Sequence, residues 1–164
     1  MRLKVLRFAT ILLAAFALTA SASHVLELPQ KMQYDAELYA TVNSTLYRYH
    51  AVIGGSALVV SIVCAFALAY FVRRIPSTFE LTLLGALCFA LSFVLWLVIV
   101  APVNAMVREA PDALLPAIWM HWRERWEYGH IATFVFQLGG FSALVLSILQ
   151  ERTARAHVDP RAPS

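Results

Sequence analysis

Four apolar blocks, Leu6–Ala22, His50–Val72, Phe79–Ala101 and Ile131–Leu149, are separated by short polar stretches. A hydrocarbon layer ~30 Å thick is crossed by roughly 20 residues of α-helix, each rising ~1.5 Å. The second and third blocks meet that length outright. The fourth is slightly short but reaches it if its helix begins upstream at Trp122, and the first is the shortest of the set. With no water in the layer to satisfy backbone N–H and C=O groups, blocks of this length must fold as helices. A composition 60% apolar and 14% charged excludes an ordinary soluble domain. The expected fold is all-α: an integral membrane four-helix bundle over residues 1–150, followed by a disordered cytoplasmic tail, residues 151–164, that carries Pro160 and Pro163.

Charge sets the expected orientation. Arg2, Lys4 and Arg7 precede the first block, Arg73 and Arg74 separate the second from the third, and Arg152, Arg155 and Arg161 follow the fourth. Under the positive-inside rule these three regions share the cytoplasm, so both termini are cytoplasmic. The other two connections mix Lys31, Arg48, Arg108, Arg123 and Arg125 with Glu27, Asp35, Glu37, Glu109, Asp112, Glu124 and Glu127, and face outward. The corresponding localisation is a multi-pass protein of a bacterial inner membrane with its polar groups on the periplasmic side. The partner this demands is the lipid bilayer. A small lipophilic molecule is compatible with it, as is an oligomer, and no basic-aromatic surface points to nucleic acid.

The segment after each boundary refines the picture. Residues 8–28 form the first helix, rich in alanine and serine, and Pro29 is expected to end or kink it. Residues 33–49 carry Tyr34, Tyr39, Tyr47 and Tyr49 and suit a short interfacial helix in the first outer loop. The third membrane helix is expected to end at Pro102, with a broken loop over residues 105–118 around Pro111, Asp112 and Pro116. Arg2–Arg7, the apolar run to Thr19 and Ala20-Ser21-Ala22 also have the form of a signal peptide. Cleavage after Ala22 would leave three helices, and that alternative stays open. Cys64 and Cys88 lie inside apolar blocks and read as small hydrophobes rather than a disulfide.

The chemistry concentrates in two mirrored spacings, His24-x-x-Glu27 and Glu127-x-x-His130. Residues three apart share a helix face, and ionisable groups at membrane depth are costly unless paired or bound to an ion. Together His24, Glu27, Glu127 and His130, with His50 as a further or orienting ligand, offer an imidazole–carboxylate set suited to iron, copper, manganese or zinc. The same groups without metal form a general-base pair, with Glu127 and His130 as proton acceptors. At about 100° per residue, Trp119, Trp122, Arg123, Trp126, Glu127, His130 and Gln137 fall on one side of the fourth helix. Trp126 is then a candidate beside the base, while Trp122, Asn104 and Gln137 are candidate substrate contacts. The bland alternatives are an aromatic belt for Trp119 and Trp122, a Glu127–Arg123 pair, an interfacial His24–Glu27 pair, a helix cap for Asn104 and a snorkelling anchor for Lys31.

His24-Val25-Leu26-Glu27-Leu28-Pro29, Pro102-Val103-Asn104 and the run from Trp122 through Trp126-Glu127 to His130 together resemble the small four-helix membrane proteins grouped with fungal anthrone oxygenases. The resemblance covers residues 10–150 and is greater to bacterial members, most of which have no assigned substrate. It implies a membrane-embedded oxygenase-like fold. For characterised members it implies oxidation of a polyphenolic anthrone to the quinone by molecular oxygen, without an organic cofactor. An oxidoreductase acting on an aromatic or lipophilic substrate is therefore one expectation. A non-enzymatic metal- or lipid-binding subunit is the second, and a small transporter the third.

Overall fold

The computed structural model describes residues 2–109 and 116–158, with side chains over 2–106 and 119–150. Helix α1 runs Arg2–Lys31, α2 Ala36–Thr45 and α3 His50–Val72. Helix α4 (Pro76–Leu95) passes through a π-helical turn, Trp96–Val100, into α5 (Ala101–Glu109), and α6 spans Pro116–Val158. Stretches Arg2–Lys31, His50–Val72, Pro76–Met106 and Trp119–Gln150 are long and apolar enough to cross a membrane. The chain is thus an all-helical, multi-pass membrane protein, with α2 as the short helix in its first connection.

The four long segments pack in a closed cycle, α1 on α3, α3 on α4, α4 on α6 and α6 on α1. Neighbours run antiparallel. Ser21 and His24 of α1 meet Gln137 and His130 of α6, and Gly85 of α4 lies against Gly140 and Leu144. Both ends of the chain therefore emerge at one end of the bundle, and α2 lies at the other. Between helices in lipid there is little hydrophobic driving force, so association depends on close packing and interhelical hydrogen bonds. The interior matches that demand: Ala14, Ala17, Ala57, Leu58, Ala65, Ala86, Phe89 and Leu144 form a buried core of mostly small side chains. At Gly85 and Gly140 the backbones approach so closely that a Cβ on either glycine would lie 3.0 Å from the other's carbonyl oxygen.

Local chemistry fixes the ends. Asp35 caps α2 by accepting from the Leu38 N–H at 2.8 Å, with Glu37 in the first turn. Arg73 closes α3 by donating to the Tyr70 carbonyl at 2.6 Å, and Pro76 opens α4 at a position where its missing N–H costs nothing.

Several expected boundaries move. Pro29 does not end α1, which continues to Lys31. It sits in the last turn, where few carbonyls remain to be satisfied. Pro102 does not end the third membrane helix either. It lacks the N–H that the Val98 carbonyl would receive in an α-helix, and Arg125 of α6 donates to that oxygen instead at 3.2 Å. The π-turn just before it, closed by the Ala101 N–H on the Trp96 carbonyl, absorbs the irregularity. Helix α6 carries on through Val158, well past Gln150. Pro111 and Asp112 of the expected loop, and residues 159–164 of the expected tail, lie outside the described residues.

Candidate functional site

At the end of the bundle remote from the termini, α1, α2, the stretch before α3, and α6 converge on a buried polar cluster. Its centre is an ion pair, Lys31 Nζ to Glu127 Oε1 at 2.9 Å, with side chains only 1% and 0% exposed. Lys31 Nζ also lies 3.3 Å from His24 Nδ1, two turns back along α1. An Nδ1 that accepts from an ammonium leaves the ring proton on Nε2. Tyr39 of α2 donates its hydroxyl to the same Glu127 Oε1 at 3.0 Å. The second carboxylate oxygen, Oε2, is buried and carries no hydrogen bond, and neither does the buried Tyr47 hydroxyl.

Aromatic rings wall this pair. His24 stacks on His130 of α6 with centroids 3.9 Å apart and planes 21° apart, and on Tyr47 at 4.5 Å. Trp126 meets both imidazoles edge-on, at 4.9 Å from His24 and 4.3 Å from His130. The Lys31 ammonium lies 4.7 Å from the Tyr47 ring centre and 5.1 Å from that of Trp126, so ring faces supply part of the field that water would otherwise provide. Trp126 is itself fixed, donating through Nε1 to Asn104 Oδ1 at 2.8 Å.

Outer and inner neighbours hold the frame. Arg123, one turn before Glu127, donates to the Tyr34 carbonyl at 2.9 Å and the Lys31 carbonyl at 3.5 Å, while its guanidinium lies 4.3 Å from the Trp119 ring centre. It thus satisfies carbonyls at the C-terminal end of α1 and pins the turn that presents Lys31. On the inward side Ser21 donates to Gln137 Oε1 at 2.9 Å, bonding α1 to α6 below the imidazole pair. The Tyr39 phenol is shifted well above its ordinary range, by burial first and by the neighbouring Glu127 carboxylate second. It acts as a fixed donor.

His24, Glu127, His130 and Trp126 assemble, with His50 at the margin, 4.7 Å from Tyr47 and 5.8 Å from His24 by ring centres. Glu27 does not join them: it is exposed on α1, and the mirrored spacing closes through Lys31 instead. Asn104 and Gln137 are buried or half-buried, but each is engaged by a side chain of the bundle, Trp126 and Ser21 respectively. Trp122 lies apart, against His121 and Arg125. The donors do not fit a metal. Among the described residues no group of three His, Cys, Asp or Glu converges in metal-binding geometry. Stacked imidazoles direct their in-plane lone pairs side by side rather than at one point, and the Lys31 ammonium already occupies the position between imidazole and carboxylate that a cation would take.

Lys31, Tyr39 and Tyr47 are the members of this cluster that the sequence reading missed. Lys31 had a signal: seven residues from His24 is nearly two full turns, which places both on one face. The tyrosines had none beyond their number, because the turn around Leu46 that brings Tyr47 under His24 is tertiary in origin. Compared with known proteins, the chain matches no family model, no curated protein and no solved structure.

Proposed function

We propose that the buried cluster is an acid–base site for a lipophilic, weakly acidic aromatic molecule, and that the protein oxidises it with molecular oxygen without a metal. The observation that carries this reading is Glu127 Oε2, a buried carboxylate oxygen with no hydrogen bond, beside an ammonium that already neutralises its partner oxygen. Buried charges at membrane depth are retained where they act. The reaction class comes from the motif resemblance, and the charge balance is supplied by the chain.

For a hydroxyanthrone, Glu127 Oε2 accepts a proton from the ring CH2, and the carbanion delocalises its charge onto the carbonyl oxygen as an enolate. The Lys31 ammonium is the cation available to stabilise that oxygen. Oxygen then takes an electron from the anion, the two radicals combine at the same carbon, and the peroxide anion takes the proton back from Glu127. Loss of water from the resulting hydroperoxide gives the quinone, so one O2 converts CH2 to C=O with release of one H2O. Trp126 offers an apolar wall for the ring, and the His24–His130 stack holds Lys31 and Glu127 at their spacing. The charge distribution near the first and last helices supports cytoplasmic termini and, with them, a site on the periplasmic side.

The test is oxygen uptake and quinone absorbance from protein reconstituted with a hydroxyanthrone. Glu127→Gln abolishes both in the expected outcome, and metal chelators leave the rate unchanged. Full activity in Glu127→Gln, or activity that depends on added metal, defeats the reading.

A further inference from the structure

A groove of 340 Å³ runs along the bundle between α1 and α3, lined by Phe16, Thr19, Ser23, Tyr49, His50 and Ile53 among others. Its floor forms where the helices touch: a Cβ on Gly54 would lie 2.7 Å from the Ala20 Cβ. Two of its hydroxyl side chains are turned back onto their own helix, Thr19 onto the Ala15 carbonyl and Ser23 onto the Ala20 carbonyl, each at 2.9 Å. The groove therefore presents mostly methyl, methylene and ring surface, and its titratable groups are the Tyr49 phenol and the His50 imidazole. That imidazole is shared. Its ring packs on Tyr47 and reaches toward His24, so the groove ends against the buried cluster.

We infer that this groove binds the hydrocarbon tail of an aromatic acid whose head enters the cluster past His50, so that the ligand arrives sideways from the bilayer. The inference rests on the acid–base reading for the head group and adds the tail and its path. A volume near the lower end of the range for small-molecule sites suits a short alkyl or prenyl chain rather than a whole phospholipid. An open flank toward the lipid suits a ligand that partitions into the membrane before it binds. His50 stands where tail gives way to head, and with Tyr49 it is a lining residue able to exchange a hydrogen bond with a phenol as it passes.

Photolabelling tests this directly, and it needs no turnover. An alkylphenol bearing a diazirine at the end of its chain is added to the protein in vesicles, beside a phospholipid with a diazirine in its acyl chain. The expected result is that the alkylphenol labels residues 16–23 and 46–54 in preference to the phospholipid. That labelling is lost in Thr19→Trp, which fills the groove from an exposed position, and kept in Val63→Trp, which enlarges an exposed residue elsewhere on α3. Equal labelling by both probes, reduced equally in Thr19→Trp, identifies ordinary boundary lipid and overturns the proposal. So does oxidation of an unalkylated hydroxyanthrone by protein whose groove the alkylphenol does not label. Specific labelling without any oxidation leaves the groove assignment standing and defeats the reaction instead.

Discussion

Lys31 and Glu127 decide the energetics at the scale of single residues. Removing both charges from water is expensive, and their mutual attraction offsets that cost only because Tyr39, His24 and the ring faces complete the environment. Breaking such a pair from one side leaves a lone buried charge, so Lys31→Met destabilises the fold by about 3–5 kcal/mol, read from thermal unfolding in detergent. Adding Glu127→Leu to it regains most of that loss while activity stays absent. A double variant no more stable than the single one contradicts the pairing. Tyr39 sets a pH limit. Its phenol holds its proton more tightly folded than unfolded, so the folded state binds more protons above the ordinary tyrosine value of about 10, and stability falls as pH rises through it. Tyr39→Phe flattens that alkaline slope in unfolding scans, and an unchanged slope assigns it to other groups. At this scale the sequence was half legible. Glu127, His130, His24 and Trp126 were marked by cost and spacing, whereas Glu27 shared the spacing but not the burial. Lys31 was misread because its long stem allows either snorkelling or burial, and only its neighbours decide which.

Elements show the same division. Hydropathy placed the four membrane helices and the tyrosine-rich connection helix, since both follow from the length and polarity of local sequence. It misplaced the breaks at Pro29 and Pro102, because whether a proline interrupts a helix depends on what else satisfies the freed carbonyl. At Pro102 the answer comes from another helix, which no local pattern contains. Arg125→Gln therefore costs about 1 kcal/mol in the native background and little in Pro102→Ala, where residue 102 regains its N–H. Additive losses in that double-mutant cycle refute the compensation. The α4–α6 crossing gives a sharper contrast. A Cβ at Gly140 meets Phe89 Cδ2 at 2.8 Å and Cys88 Cβ at 3.0 Å, whereas one at Gly139 meets nothing within 4 Å. Gly140→Ala is thus expected to lose about 1–3 kcal/mol from overpacking, and Gly139→Ala to be neutral or to gain up to about 1 kcal/mol of helix propensity. Equal effects at the two positions are inconsistent with the crossing.

For the molecule as a whole, the distribution of buried polarity bears on conduction. The ionisable cluster occupies the end remote from the termini. At the opposite end lies a small hydroxyl seam, Thr82 to Ser147 at 2.6 Å, with Ser147 donating to the Thr78 carbonyl at 3.3 Å. Between them the helices close on Ala65, Ala86, Phe89 and Leu144, all buried, with Gly85 and Gly140 drawing α4 and α6 closely together. A proton passing from Gln137 to Ser147 must cross that mostly apolar layer, and an unsatisfied charge in such surroundings is prohibitive. The packing that sets this layer between the two polar ends arises only when four helices share one interior. Vesicles containing the protein should accordingly hold an imposed pH gradient as long as empty vesicles do, followed with an entrapped pH-sensitive dye. A gradient that collapses faster in proportion to the protein added, and more slowly in Glu127→Gln, would establish conduction through the cluster and displace the enzymatic reading.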